Sequence, residues 1–335
     1  MPQPPLDIVK YLSKPLPNLR EQYPPGTGGT GPRAEWDGTL KSVQVIDGFN
    51  EQVQAFFKTL PSEPIPTHPA HKYPKFVQVS ASLPQVIKSP ADLQKALSTL
   101  PLPGISSVLT ALDADEADLQ LGPGGAQALD KAGYESDGGE ELEVTKPEDG
   151  KTKAWYWRFN KSPMGSGEFL LMQQGSDDVK LVVRTINSSA FSPADWDEYV
   201  VTGPYRYNTK SKASWYWSRS WGAAKRLNCQ YYVLTDWKRW VFGKFDEKRE
   251  HGWVSPLITS ETSEPYALQA LLFWARSAIG DANGFKAEKK DVSGNEELFP
   301  DNPARRFSSK DGGTSSNRVK KANESDIEES DVEGA

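Results

Sequence analysis

EFLLMQQGSDDVKLVVRTI, residues 168–186, is the stretch on which the fold turns. Two apolar runs, 168–174 and 179–186, flank Gly175, Ser176, Asp177 and Asp178. Runs of large and β-branched residues across a short Gly- and Asp-containing break predict a β-hairpin. Upstream, WYWRF at 155–159 reads as a further strand. Downstream, a Pro-containing crossover at 191–205 leads into a predicted helix over 213–227. There Ala213, Trp217, Ser220, Trp221, Ala224 and Leu227 recur at helical spacing as one buried stripe. QYYVLT at 230–235 and RWVFGKF at 239–245 form a second strand pair, joined by Asp236, Trp237 and Lys238. GWVSPLI at 252–258 is a candidate strand, and 264–279 a helix with Leu268, Leu271, Leu272, Ala275 and Ile279 inward and Gly280 placed to end it. The order predicts an α/β (α+β) unit: a mixed sheet, βββαββ, covered by helices.

Outward from this unit the signals thin. Residues 1–35 are Pro- and Gly-rich, and GTGGTG at 26–31 lacks both the Lys-Ser/Thr of a phosphate loop and a strand leading into it. Phe49, Val53, Phe56, Phe57 and Leu60 fall at helical spacing, with Asp47 as expected N-cap and Pro61 as stop. After a Pro-rich connector, Ser89-Pro90 opens a helix through Leu93, Ala96 and Leu97 to Leu100, and a short helix is expected over 105–112. The resulting division is a flexible N-terminus (1–35), a helical and Pro-rich extension (36–112), an acidic linker (113–150) with a short helix near 126–132, the α/β core (151–280), and a disordered acidic tail (281–335).

The 335 residues carry a net charge of −6, but the charge is segregated. Residues 151–280 hold 18 Lys and Arg against 12 Asp and Glu, while 113–149 hold 12 acids against Lys131 and Lys146. A basic folded unit between acidic flanks is compatible with an anionic partner, nucleic acid or an acidic protein. The single cysteine, Cys229, excludes an intrachain disulfide and a thiolate zinc site. His68 and His71 sit in a Pro-rich stretch, and His251 in a polar turn. No run approaches the roughly 18 apolar residues of a membrane helix, and MPQPPLDIVKYL lacks a signal-peptide pattern. A reduced, soluble protein of the cytoplasm or nucleus, with no membrane partner, is expected.

Two constellations could carry function. In the hairpin, Asp178-Val179-Lys180 has the form acid-x-Lys, ten residues after Glu168. Two acids can hold a divalent ion while a lysine steers the attacking water. On the 213–227 helix, Trp215, Arg219 and Arg226 share a face opposite Trp217 and Trp221, and Trp237, Lys238 and Arg239 add to it from the nearby turn. Aromatic planes stack bases and cations meet phosphates. Trp217, Trp221, Trp240 and Trp274 read as core. The acids Asp195, Asp197 and Glu198 read as a helix start after Pro193. In the tail, Ser325 and Ser330 each precede an acid by three residues, the pattern of acidophilic kinase sites.

The order of elements, the D-x-K and VLTDWKRWVFGKF together resemble the PD-(D/E)xK nuclease-like superfamily over about residues 155–245. That resemblance implies an α-βββ-αβ core with acids on its second and third strands. It implies Glu168 and Asp178 as ligands of Mg²⁺ and Lys180 as the catalytic lysine. The chain departs from the pattern: Asp178 and Lys180 fall at the turn, Leu181-Val182-Val183-Arg184 holds no acid, and no Pro-Asp pair precedes the hairpin. The chain as a whole is similar to uncharacterised proteins of mushroom-forming fungi that carry stretches like EFLLMQQGSDDVKLVVRT and YYVLTDWKRWVFGKF. The expected function is therefore a binding module of nuclease-like fold with a basic aromatic face. The alternatives are a metal-dependent nuclease and a structural or regulatory protein.

Overall fold

The computed structural model describes residues 4–24, 37–67, 72–114, 154–161, 167–288 and 298–299. The GTGGTG loop, the helix expected near 126–132, and Ser325 and Ser330 lie outside the described residues.

The N-terminal part holds α1 (Ile8–Leu12), β1 (Arg20–Glu21), β2 (Ser42–Val45), α2 (Phe49–Phe57), α3 (Phe76–Val79), β3 (Val86–Ile87), α4 (Pro90–Thr99) and α5 (Pro101–Leu112). Then follow β4 (Trp155–Asn160), β5 (Glu168–Gln173), β6 (Leu181–Thr185), α6 (Pro193–Tyr199), β7 (Gly203–Pro204) and α7 (Lys212–Arg226). The last elements are β8 (Tyr231–Thr235), β9 (Arg239–Phe245), β10 (His251–Val254), β11 (Ile258–Thr259) and α8 (Ala267–Ala278).

The predicted hairpin and strand pairs form one mixed sheet, in the order β4-β5-β6-β8-β9-β10-β2-β7 with β11 on β9. β4, β5 and β6 are an antiparallel meander, and β6 runs parallel to β8 after the α6–α7 crossover. The strands are covered on both sides, which is why they read as nearly continuous apolar runs. Phe169, Leu171, Leu181, Val183, Val233 and Phe242 point to the face packed by α2, α4, α5 and α8. Leu170, Met172, Val182, Leu234 and Val241 point to the face packed by α6 and α7. On that second face Tyr232 lies over Gly243 in the register of β8 and β9, so only glycine fits there; a Cβ would fall within the phenol ring.

The expectation that 36–112 is an extension of the core is corrected. β2 enters the sheet between β10, to which it is parallel, and β7. Phe49 of α2 stacks on Phe242 of β9 with ring centroids 5.8 Å apart. Leu93, Leu97, Ile105 and Leu109 of α4 and α5 share one core with the strands. The N-terminal helices, together with α8, are thus one of the two layers that bury the sheet.

Local signals fare unevenly. Ser89 caps α4 as expected, and Asp92 closes a capping box by accepting from the Ser89 amide at 2.9 Å. α2 is entered from Gly48 in the left-handed region, φ 60°, rather than from Asp47. α5 starts a turn earlier than expected, because Pro101 and Pro103 occupy a first turn whose amides need no intrahelical partner.

Candidate anion-binding site

α7 is capped by Ser211, whose Oγ accepts from the Ser214 amide at 3.0 Å. Its predicted stripe is core. Trp217 stacks on Tyr199 at 4.7 Å and donates its indole N–H to the Tyr199 carbonyl. Trp221 donates to the Arg249 carbonyl. The adjacent face carries Trp215 and, one turn on, Arg219, whose guanidinium lies 4.6 Å from the centre of the indole. Both residues are half-buried, and Arg226 projects two turns further along.

Beneath this face lies a pair fixed by strand register. Glu168, the first residue of β5, stands directly opposite Arg184 of β6. Both side chains are buried, 6% and 11% exposed, with Arg184 Nε 3.5 Å from Glu168 Oε1. Arg226 Nη2 donates to both oxygens of Glu168 at 3.2 and 3.1 Å. Arg184 Nη1 donates to the Arg219 main-chain oxygen at 2.7 Å, pinning the helix to the sheet. The Arg226 side chain remains 48% exposed. Burial, and then the neighbouring Arg184, lower the Arg219 pKa to about 10. Burial also lowers that of Arg184, with Glu168 opposing. The group is thus two guanidiniums, of Arg184 and Arg226, on one carboxylate, with the Arg219 main chain tied to Arg184: an excess of positive charge whose outer members are Arg226 and, on the Trp215 ring, Arg219.

Arg184 is the member that sequence reasoning missed. The signal was present: an arginine inside an apolar strand needs a buried partner. Strand alternation puts it on the same side as Val182, which faces α7.

The nuclease set does not assemble. Asp178 and Lys180 pair with each other at 3.2 Å at the β5–β6 turn, where Asp178 is 74% exposed. Glu168 sits at the other end of β5, roughly 16 Å away at strand rise. Its oxygens accept from arginine rather than facing an open cleft. Among the described residues no group of three or more His, Cys, Asp or Glu could hold a metal ion. The Mg²⁺ that the nuclease resemblance implies does not fit these residues. Asp195 completes the capping box of α6 with Ser192, as a helix start requires.

The β8–β9 turn is also corrected. Trp237, expected as a stacking platform, is fully buried at φ 80°, its indole donating to the Pro17 carbonyl at 2.9 Å. The turn aims it into the N-terminal layer. Arg239 donates from its amide and from Nη1 to buried Asp236, at 2.7 and 2.9 Å. Lys238 is half-buried, and its carbonyl accepts from the Ser260 amide. These three residues build a structural turn, separate from the α7 face.

Asp236 supplies a pH prediction. Burial first, and then Glu21, raise its pKa to about 6 against the pull of Arg239. An unfolded Asp titrates near 3.9, so the folded chain holds this proton more tightly. Its contribution is greatest below about pH 4, declines as pH rises to about 6, and is flat above. Relative to Asp236→Asn, the native chain is expected to lose about 2–3 kcal/mol between pH 4 and pH 7. Urea unfolding across that range checks it, and parallel curves for the two proteins would refute it.

No helix among the described residues is long and apolar enough to cross a membrane. Comparison with protein-family models, curated proteins and solved structures finds no match to this chain.

Proposed function

We propose that this protein is a non-enzymatic binding module whose α7 face takes a single-stranded nucleic acid. The observation that carries this reading is the row of half-exposed Trp215, Arg219 and Arg226 on one face of α7, held from below by the Arg184–Glu168 pair. Arg219 and Arg226 would meet phosphates, and Trp215 would stack a base, with Arg219 already aligned on its ring. Arg184 and Glu168 set the positions of both arginines from below.

Fluorescence anisotropy with labelled oligothymidylate, over a series of salt concentrations, tests this. Affinity is expected to fall with salt, with a log–log slope of about −1.4 for two phosphate contacts. Trp215→Ala is expected to weaken binding by about 1–3 kcal/mol, and Arg219→Ala to weaken it and flatten the salt slope. Affinity that is absent, or unchanged in both variants, ends the reading. Preference for polyglutamate over the oligonucleotide moves it to an acidic protein.

A further inference from the structure

On the opposite side of the sheet, α1, α3 and the segments beside them enclose an open cavity of about 450 Å³. Leu6, Tyr11, Tyr73 and Phe76 line it, and Lys10, Lys14 and Lys75 stand around it with Asp7 as the single acid. The aromatic wall is preformed. Tyr11 donates its hydroxyl to the Pro74 carbonyl at 2.8 Å and meets Tyr73 and Phe76 edge-on at 5.3 and 5.6 Å. Lys14 lies over the Phe76 ring at 5.1 Å. Among the described residues no carboxylate pairs with any of the three lysines.

A second observation concerns the rim. Val77 of α3 is 88% exposed and Val9 of α1 38%; together with Phe159 they are the exposed large hydrophobics of the described residues. Of these, Val77 lines the cavity and stands at its mouth. A small molecule seated in the cavity would leave most of the Val77 side chain in water. A flat layer of lipid headgroups would cover Val77 and leave the concavity unfilled. A peptide chain that drops one side chain into the cavity and continues across the rim covers both. Three cations with no carboxylate partner among the described residues, against one acid, make that peptide acidic.

We infer that the α1–α3 cavity is the docking site for an acidic segment of a partner protein, seated by one large aliphatic or aromatic side chain. The lysines supply its charge recognition, and Val77 covers the flanking residues.

The test is selection of a displayed library of random dodecapeptides on the full chain, followed by anisotropy titration of the enriched peptides. The expected peptides carry Asp and Glu around a large apolar residue. Their affinity is expected to fall at least about tenfold both in the Lys10→Glu/Lys14→Glu/Lys75→Glu variant and in Val77→Asp. It is expected to be unchanged in Arg219→Ala, which separates this site from the α7 face. The substituted side chains lie at the surface or are half-buried, and circular dichroism confirms the fold. Failure to enrich peptides, enrichment of non-acidic ones, or equal binding by either cavity variant overturns the inference. So does binding to phosphatidylserine vesicles that requires these same residues.

Discussion

Glu168→Ala is expected to destabilise the protein by about 3–5 kcal/mol, the cost of leaving a buried charge without its partner. Arg184 is the charge in question. It is buried, it lies opposite Glu168 in strand register, and it also donates to the neutral carbonyl of Arg219. Arg226 can turn to water when the carboxylate is lost, because its side chain is already 48% exposed; Arg184 cannot. Urea denaturation of the two proteins measures the difference. The double variant Glu168→Leu/Arg184→Met sharpens it, since replacing both members of a buried pair with apolar groups is often neutral or stabilising. Recovered stability in the double variant with lost oligonucleotide binding would separate the architectural role of the pair from its role in holding Arg219 and Arg226. A cost below about 1 kcal/mol for Glu168→Ala would show that the pair is not the anchor described above.

Trp274→Ala carries a penalty of similar size, about 3–5 kcal/mol, for a different reason. Trp274 is fully buried in α8, and its indole N–H is shared between the Tyr232 and Gly243 carbonyls at 3.1 and 3.3 Å. Its ring meets Phe49 of α2 at 5.8 Å, Tyr231 at 5.4 Å and Phe285 at 5.2 Å. It therefore joins the N-terminal layer, the sheet and the segment after α8. Because one side chain touches all three, the variant should unfold in a single transition shifted to lower urea. Two transitions, with residues 37–112 melting apart from the sheet, would contradict a shared core.

What the sequence revealed follows the range of each signal. Strands β5, β6, β8 and β9 and helices α4, α7 and α8 were legible because their apolar periodicity runs within a dozen residues, and Ser89 marked its helix by local chemistry. Trp215, Arg219 and Arg226 could be grouped because helical spacing alone puts them on one face. β2 was not legible: it has four residues, two of them polar, and Ser42 and Gln44 are buried only through their neighbours in the sheet. Glu168 and Asp178 looked like a pair at ten residues' separation. Register decides otherwise, setting Glu168 opposite Arg184 and leaving Asp178 at the turn. Trp237 resembled Trp215 in composition, but a positive φ and a carbonyl from Pro17 turn it inward.

The place of β2 in the sheet bears on how the chain is made. Ser42 Oγ meets His251 Nδ1 at 2.8 Å across a sequence separation of 209 residues. A nascent chain emerging from the ribosome would carry β2 without its β10 partner, and the apolar face of α2 without β9 and α8, until the segment from 239 to 278 had been synthesised. Closure of so long a loop makes acquisition of the native state a late and slow event. In the interval these surfaces are natural clients for a chaperone. A fragment beginning at residue 151 would suffer the reverse defect, presenting the bare edge of β10 as a template for self-association.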